Sequence, residues 1–212
     1  MVDINMRKGL FITFEGIGAS GKSTQARLLY EHFQSKNRPV LLTREPGGSD
    51  LAERLRNIIL SEEISGVTEA LLLFAAREDH LNKVIRPALE EGTTVICDRF
   101  IDSSYAYRGG CRGVNFDFLK QLELYVLRGL QPDLTFFLDI EPDVALARLQ
   151  VRGADGDKFD REKRDFFCKL HKAYVERSRF IPLRCVTISA TQSIEEIHKS
   201  ILEKVEAKYH ES

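Results

Sequence analysis

The chain carries no excess charge of either sign: 31 lysines and arginines stand against 32 aspartates and glutamates in 212 residues. That balance argues against a nucleic-acid coat or a membrane-surface protein, since both favour a basic excess. It leaves room for local basic clusters that meet phosphates. No apolar run approaches the length of a membrane span. The first eight residues are short of the apolar core that a secretion signal needs, so a cytoplasmic location is expected. The four cysteines, Cys97, Cys111, Cys168 and Cys185, form no C-x-x-C pair, and neither a metal site nor a disulfide framework is expected of them. Cys97 and Cys185 fall in apolar runs and read as small buried hydrophobes. Repeats, low-complexity tracts and interdomain linkers are also missing. The length suits one domain, residues 1–212.

What is present is ordered as alternating strands and helices. Five apolar, β-rich runs occur at Gly9–Phe14, Pro39–Thr43, Thr93–Asp98, Leu134–Ile140 and Cys185–Ser189, with helical patterns between them. Near-continuous apolar strands separated by helices predict a parallel sheet covered on both faces, a three-layer α/β/α fold with five strands. Ile194, Ile197, Ile201, Leu202 and Val205 recur at helical spacing and predict a C-terminal helix on the sheet.

The first strand runs into Gly16-Ile17-Gly18-Ala19-Ser20-Gly21-Lys22-Ser23, which fits G-x-x-x-x-G-K-[ST], the phosphate-binding P-loop, and Thr24 opens the following helix. Backbone N–H groups curled around this loop form a nest for anionic oxygens, and the helix adds its positive end. Glu15 to Thr24 are therefore the candidates for holding ATP. Lys22 reaches the β- and γ-phosphates, and the Ser23 hydroxyl can ligate Mg²⁺. Asp98 closes the third strand at the same rim and is the second Mg²⁺ candidate.

Other strand ends carry further polar groups. Arg44-Glu45-Pro46-Gly47-Gly48 follows the second strand. Asp98-Arg99-Phe100 closes the third, and Asp102-Ser103-Ser104-Tyr105-Ala106-Tyr107-Arg108 comes next, dense in hydroxyls and aromatics. Such a set can read a sugar and a base, or it can be a polar helix start capped by Asp102 or Ser103. Arg77 stands at the end of the apolar face that holds Leu73 and Phe74, where a guanidinium can fork onto a base or phosphate or remain a surface charge. Arg148, Arg152, Lys158, Arg161 and Arg164 crowd around Gly153 and Gly156, so a basic lid at about 150–162 is expected to close over phosphates, the bland alternative being a solvated loop. No Asn-Lys-x-Asp base-reading segment of a guanine-nucleotide switch is present.

Taken in order, Phe14-Glu15-Gly16, the P-loop, Thr43-Arg44-Glu45-Pro46-Gly47-Gly48, Ile85-Arg86-Pro87-Ala88-Leu89, Asp98-Arg99-Phe100, Asp102 to Tyr107, Pro132-Asp133-Leu134 and Leu138-Asp139 resemble the thymidylate kinase family over nearly the whole chain. The resemblance is to the bacterial type, whose P-loop carries no extra arginine and whose lid is basic. It implies transfer of the ATP γ-phosphoryl group to dTMP with Mg²⁺, giving dTDP and ADP, and it implies a homodimer. By the same match Arg99 holds the dTMP phosphate beside Glu45 and Pro46. Arg56 and Arg77 contact the acceptor nucleotide, Ser103 and Ser104 bond the base, and Tyr107 crowds a ribose 2′-hydroxyl. Lys22, Arg99, Arg148, Arg152 and Lys158 would stabilise the transferring group.

Four positions depart from the family pattern. Gly18 stands where an acid contacts the sugar 3′-hydroxyl. Arg108 stands where a glutamine is usual, and arginine offers no acceptor. Lys158 replaces the usual lid arginine and loses its bidentate phosphate geometry. Leu73, four residues before Arg77, occupies the base-stacking phenylalanine position, with Phe74 one residue on. One residue is about 100° around a helix, so either Leu73 takes the base face or Phe74 swings in. The alternatives to this reading are another nucleoside monophosphate kinase, with different or relaxed acceptor choice, and a non-catalytic relative that keeps the fold.

Overall fold

The computed structural model describes residues 9–152 and 164–211. Five strands, β1 (Phe11–Glu15), β2 (Val40–Arg44), β3 (Thr94–Asp98), β4 (Leu134–Asp139) and β5 (Cys185–Ser189), form one parallel sheet in the order β2-β3-β1-β4-β5. Each expected strand is present, its ends displaced by at most two residues. β1 lies at the centre. Phe14 is in register with Asp98 on one side and Phe136 on the other, so the P-loop emerges beside the end of β3.

Alternation along the strands sends side chains to two separate cores. Ile12, Phe14, Ile96 and Phe136 face one, with Leu29 and Phe33 of α1 (Lys22–Ser35) and Ile197, Ile201 and Val205 of α9 (Ile194–Glu211). Phe11, Val95 and Cys97 face the other, with Phe74 of α3 (Gly66–His80) and Leu89 of α4 (Arg86–Glu90). Burial on both faces is the reason these strands read as continuous apolar runs. Cys97 is buried as expected, whereas Cys185, on the edge strand β5, is only partly so.

Three more helices matter for the site. α2 (Asp50–Ser61) is capped by the Ser49 hydroxyl. α5 (Ile101–Ser104) widens at once into a π-helical turn, Tyr105–Cys111. α8 (Arg164–Phe180) packs on that turn and brings Phe167, Leu170 and Tyr174 into the first core. Remaining helices are α6 (Phe116–Leu127) and α7 (Pro142–Arg152).

Asp102 does not cap α5. The residue at that cap position is Phe100, without a side-chain bond. Asp102 is buried and instead receives Arg177 Nε at 2.7 Å and Arg184 Nη1 at 2.7 Å. Burial pushes its carboxyl up, but Arg184 and Arg177 outweigh that and hold it below the usual range. A carboxylate with two guanidiniums within reach is drawn to them rather than to the helix-start amides that a cap would serve.

Candidate active site

Gly16 leaves β1 at φ +142°, and a Cβ there would lie 2.7 Å from the Leu138 carbonyl oxygen, so only glycine lets the loop pass β4 this closely. Ala19 also adopts a left-handed backbone, φ +57°, which an alanine enters at a cost. Lys22 Nζ donates to the Ile17 carbonyl at 2.7 Å, so the lysine lies across the loop's mouth. The Ser23 hydroxyl donates to Asp98 Oδ2. The two expected Mg²⁺ residues, from α1 and β3, are therefore in contact, and both present hard oxygen donors of the kind that Mg²⁺ selects.

Opposite the loop is a cavity of about 240 Å³. Gly18, Ala19, Lys22 and Ser23 line its donor side. Glu45, Pro46, Arg56, Leu73, Arg77, Arg99, Ser103, Ser104, Tyr107 and Arg108 line the rest, so these ten sequence candidates converge from β2, α2, α3, β3 and α5 on one space. Arg77 Nε donates to Glu45 Oε2 at 2.7 Å, and His80 Nδ1 lies 3.2 Å from the other oxygen. Burial pushes the Glu45 carboxyl up, but Arg77 and His80 prevail and keep it below its ordinary value. His80 is held from behind by Thr43 Oγ1 at 2.8 Å. A Cβ on Gly48 would sit 2.2 Å from His80 Nε2, so the loop after β2 closes over the imidazole only because residue 48 lacks one.

Arg77 Nη1 and Ser104 Oγ, on residues that line this cavity, are buried polar atoms without a hydrogen-bond partner among the described residues. A buried donor left unsatisfied costs about 1–3 kcal/mol. Both residues line the cavity, where an acceptor on a bound ligand would offset that cost. Arg56 Nη1 donates to the Pro46 carbonyl at 2.8 Å. Arg108 Nη2 donates to the buried Glu69 carboxylate, so part of its guanidinium is committed away from the cavity.

Three sequence candidates stand elsewhere. Phe74 is not on the cavity; it is buried in the second core, its ring 4.9 Å from the Arg77 guanidinium. Leu73 takes the cavity face, because the second core, shared with Phe100, claims the larger ring of Phe74. Glu15 does not face the P-loop phosphate nest. It is buried and accepts the Phe100 N–H at 2.8 Å and the Ser103 hydroxyl at 2.6 Å. The end of β1 turns its side chain toward β3 and away from the loop. Arg148 reaches the back of the P-loop, donating to the Ala19 carbonyl at 3.4 Å and the Ala190 carbonyl at 2.9 Å. Arg152 ends α7, and Lys158 and Arg161, with most of the expected lid at 150–162, lie outside the described residues. Arg164 pairs with Asp143 at 2.6 Å on the surface.

Sequence reasoning missed His80, Glu69 and Tyr174. His80 carried a weak signal, one turn beyond Arg77 on α3. Tyr174 carried none, since it reaches the site from 159 residues away. Its hydroxyl is 3.1 Å from Glu15 Oε2, 2.7 Å from Ser103 Oγ and 3.0 Å from Arg99 Nη1. Arg99, at φ +70°, also donates to the Gly16 carbonyl at 3.0 Å. Burial, with the nearby Asp102, raises the Glu15 carboxyl to about 7, although Ser103, Arg99 and Phe100 pull it down.

A phosphate-cradling loop and an arginine-walled cavity that share one rim are the layout of an ATP-dependent nucleoside monophosphate kinase, built on a P-loop α/β fold. Comparison with known proteins narrows the class. The family model for thymidylate kinase matches residues 14–201. The chain is 46% identical over 196 residues to a thymidylate kinase of Pseudomonas fluorescens, covering 91% of this chain and 93% of that protein. It is 42% identical over 199 residues to one from Ruthia magnifica, covering 92% and 97%. The crystal structure of thymidylate kinase from Ehrlichia chaffeensis superposes with a TM-score of 0.76 at 32% identity, covering 93% of this chain and 98% of that one. The chain belongs to the thymidylate kinase family. Among the described residues no helix is long and apolar enough to cross a membrane.

Proposed function

We propose that this chain transfers the γ-phosphoryl group of ATP to dTMP, with the nucleotide acceptor in the cavity walled by Arg77 and Ser104. The observation that carries this reading is the pair of unsatisfied buried donors, Arg77 Nη1 and Ser104 Oγ, on residues that line the cavity together with the P-loop. A pyrimidine offers acceptors to both. Leu73 packs against its face, and Tyr107 limits the sugar. Arg99 and Arg56 take the acceptor phosphate, beside Glu45 and Pro46. The acceptor is an anionic phosphate oxygen near neutral pH, so no strong general base is needed. Catalysis is positioning and charge neutralisation. P-loop amides and Lys22 hold the β- and γ-phosphates. Ser23 and Asp98 would hold Mg²⁺, which supplies positive charge between the phosphates when bound. Arg148, Arg152 and Lys158 are proposed as the cations that complete the donor site.

One domain supports this work, since both apolar cores lie on one sheet. We further propose a homodimer. Ile58 of α2, Val67 and Leu71 of α3, and Leu124 and Tyr125 of α6 are exposed apolar side chains on helices that pack side by side, and a second copy would cover them. All four cysteines are free thiols, in keeping with the reducing cytoplasm. The test is ADP release from ATP-Mg²⁺ with dTMP, dUMP, dCMP, UMP and AMP in turn. Selective dTMP turnover is expected. Turnover spread over several acceptors would make the chain a relaxed monophosphate kinase, and none at all would make it a non-catalytic relative.

A further inference from the structure

We propose that Tyr174 is a positioning residue for phosphoryl transfer: its hydroxyl, delivered by α8, fixes the Arg99 guanidinium where it meets the acceptor phosphate. The inference rests on the assignment of Arg99 to that phosphate. Arg99 is a long side chain with several rotamers, and something must select one before the substrate arrives. Its Nη1 has three acceptors in reach: the Gly16 carbonyl at 3.0 Å, the Tyr174 hydroxyl at 3.0 Å and the Ser103 hydroxyl at 3.3 Å.

The two hydroxyls do more than accept. Ser103 Oγ donates to Glu15 Oε2 at 2.6 Å, and Tyr174 donates to the same oxygen at 3.1 Å. Each hydroxyl accepts from the cation; with one proton apiece and 2.7 Å between the two oxygens, Ser103 gives its proton to the carboxylate and Tyr174 shares its own between Ser103 Oγ and the same carboxylate. Glu15 attracts Arg99 through them, and these contacts all fall on Nη1 of a residue that lines the cavity. Tyr174 is the member from outside the neighbourhood of β1 and β3. Its ring stacks on Phe137 at 5.6 Å and meets the Tyr107 ring edge-on at 6.4 Å. Tyr107 in turn lies 5.2 Å below the Arg99 guanidinium. One side chain therefore touches the arginine on one side and the tyrosine that walls the sugar on the other.

The test uses the full-length enzyme with dTMP varied at saturating ATP-Mg²⁺. Tyr174→Phe keeps the ring and its packing and removes only the hydroxyl. It is expected to raise KM for dTMP about tenfold, the scale of one hydrogen bond to a charged group. kcat should change less than about threefold, and KM for ATP should not move. Arg99→Ala is measured beside it. In the double variant the Tyr174→Phe effect should vanish, because it acts through Arg99. A Tyr174→Phe enzyme with KM for dTMP within twofold of the parent, or effects that multiply in the double variant, would overturn the positioning role. An unchanged KM for dTMP in Arg99→Ala would instead overturn the assignment of Arg99, and the two failures are thereby distinguished. If Tyr174→Phe does not fold, Glu15→Gln, which takes the charge from the other end of the same relay, is expected to raise KM for dTMP likewise, and an unchanged KM there overturns the inference.

Discussion

Glu45 and Arg77 form an ion pair in which both partners are buried, with Arg77 Nε 2.7 Å from Glu45 Oε2. Removing one partner strands the other charge. Glu45→Ala is expected to destabilise the fold by about 3–5 kcal/mol and to raise KM for dTMP, because it frees the guanidinium of Arg77, which lines the cavity. Urea unfolding checks the first part. The pair also fixes a pH dependence. Its carboxyl is held below the ordinary 4.5, so its contribution is complete above that value and is lost as pH falls through the folded value.

Glu15 has the opposite sign. Its folded value of about 7 lies above the ordinary 4.5, so the folded state binds the extra proton between them. Stability from this group is full below pH 4.5 and declines as pH rises toward 7. Relative to Glu15→Gln, the parent should therefore lose a few kcal/mol of stability between those limits, on the order of one unit per 1.4 kcal/mol. Unfolding midpoints of the two proteins, taken at intervals from pH 4.5 to 8, measure it. Parallel curves would show that the carboxyl does not titrate there.

Lys22→Ala should lower kcat on the order of 10²–10³-fold, as removing one preorganised charge-stabilising donor does. Equilibrium binding of ATP should survive, since the loop amides remain. Near-normal turnover in that variant would remove Lys22 from the catalytic set.

Leu73 gives the cavity an aliphatic wall, and Arg108 is partly tied to Glu69. Selecting thymine over uracil then depends on how one methyl group fits, worth roughly 1–3 kcal/mol. dUMP turnover should be detectable, with dTMP preferred by less than about 10³-fold in kcat/KM. A larger preference would mean that the pocket is tighter than its lining suggests.

Ala19→Gly should stabilise the protein by about 1 kcal/mol, since glycine enters the left-handed region without the penalty on Cβ. Thermal unfolding reads this directly, and an unchanged midpoint would mean that the loop relaxes around the alanine.

Sheet and P-loop were legible in the sequence because their signals are local: apolar runs a few residues long, and a motif of eight. The convergence of Glu45 and Arg99 on the P-loop's rim was legible too, since in a parallel sheet every such loop leaves the same edge; Arg77 and Ser104, on helices, were tied to it only through the family resemblance. What escaped local reading were choices settled by distant partners. Asp102 has the chemistry of a cap, and only Arg177 and Arg184, folded back from the far end of the chain, make it an ion-pair hub. Leu73 and Phe74 are both apolar neighbours on one helix; which faces the cavity depended on the space that Phe100 and Leu89 leave in the second core. Glu15 adjoins the P-loop in sequence, but in space its carboxylate is buried against Phe100 and Ser103, which follow β3.

The central place of β1 has a consequence for amide hydrogen exchange. Thr13 and Phe14 are flanked by paired strands on both sides, so their N–H groups reach solvent only when the entire sheet comes apart, whereas β2 and β5 each have a free edge. Deuterium uptake at β1 is thus a clock for global opening. The P-loop should therefore be anchored to a slowly exchanging strand, while Glu45 and Pro46, which follow edge strand β2, should hang from a faster one.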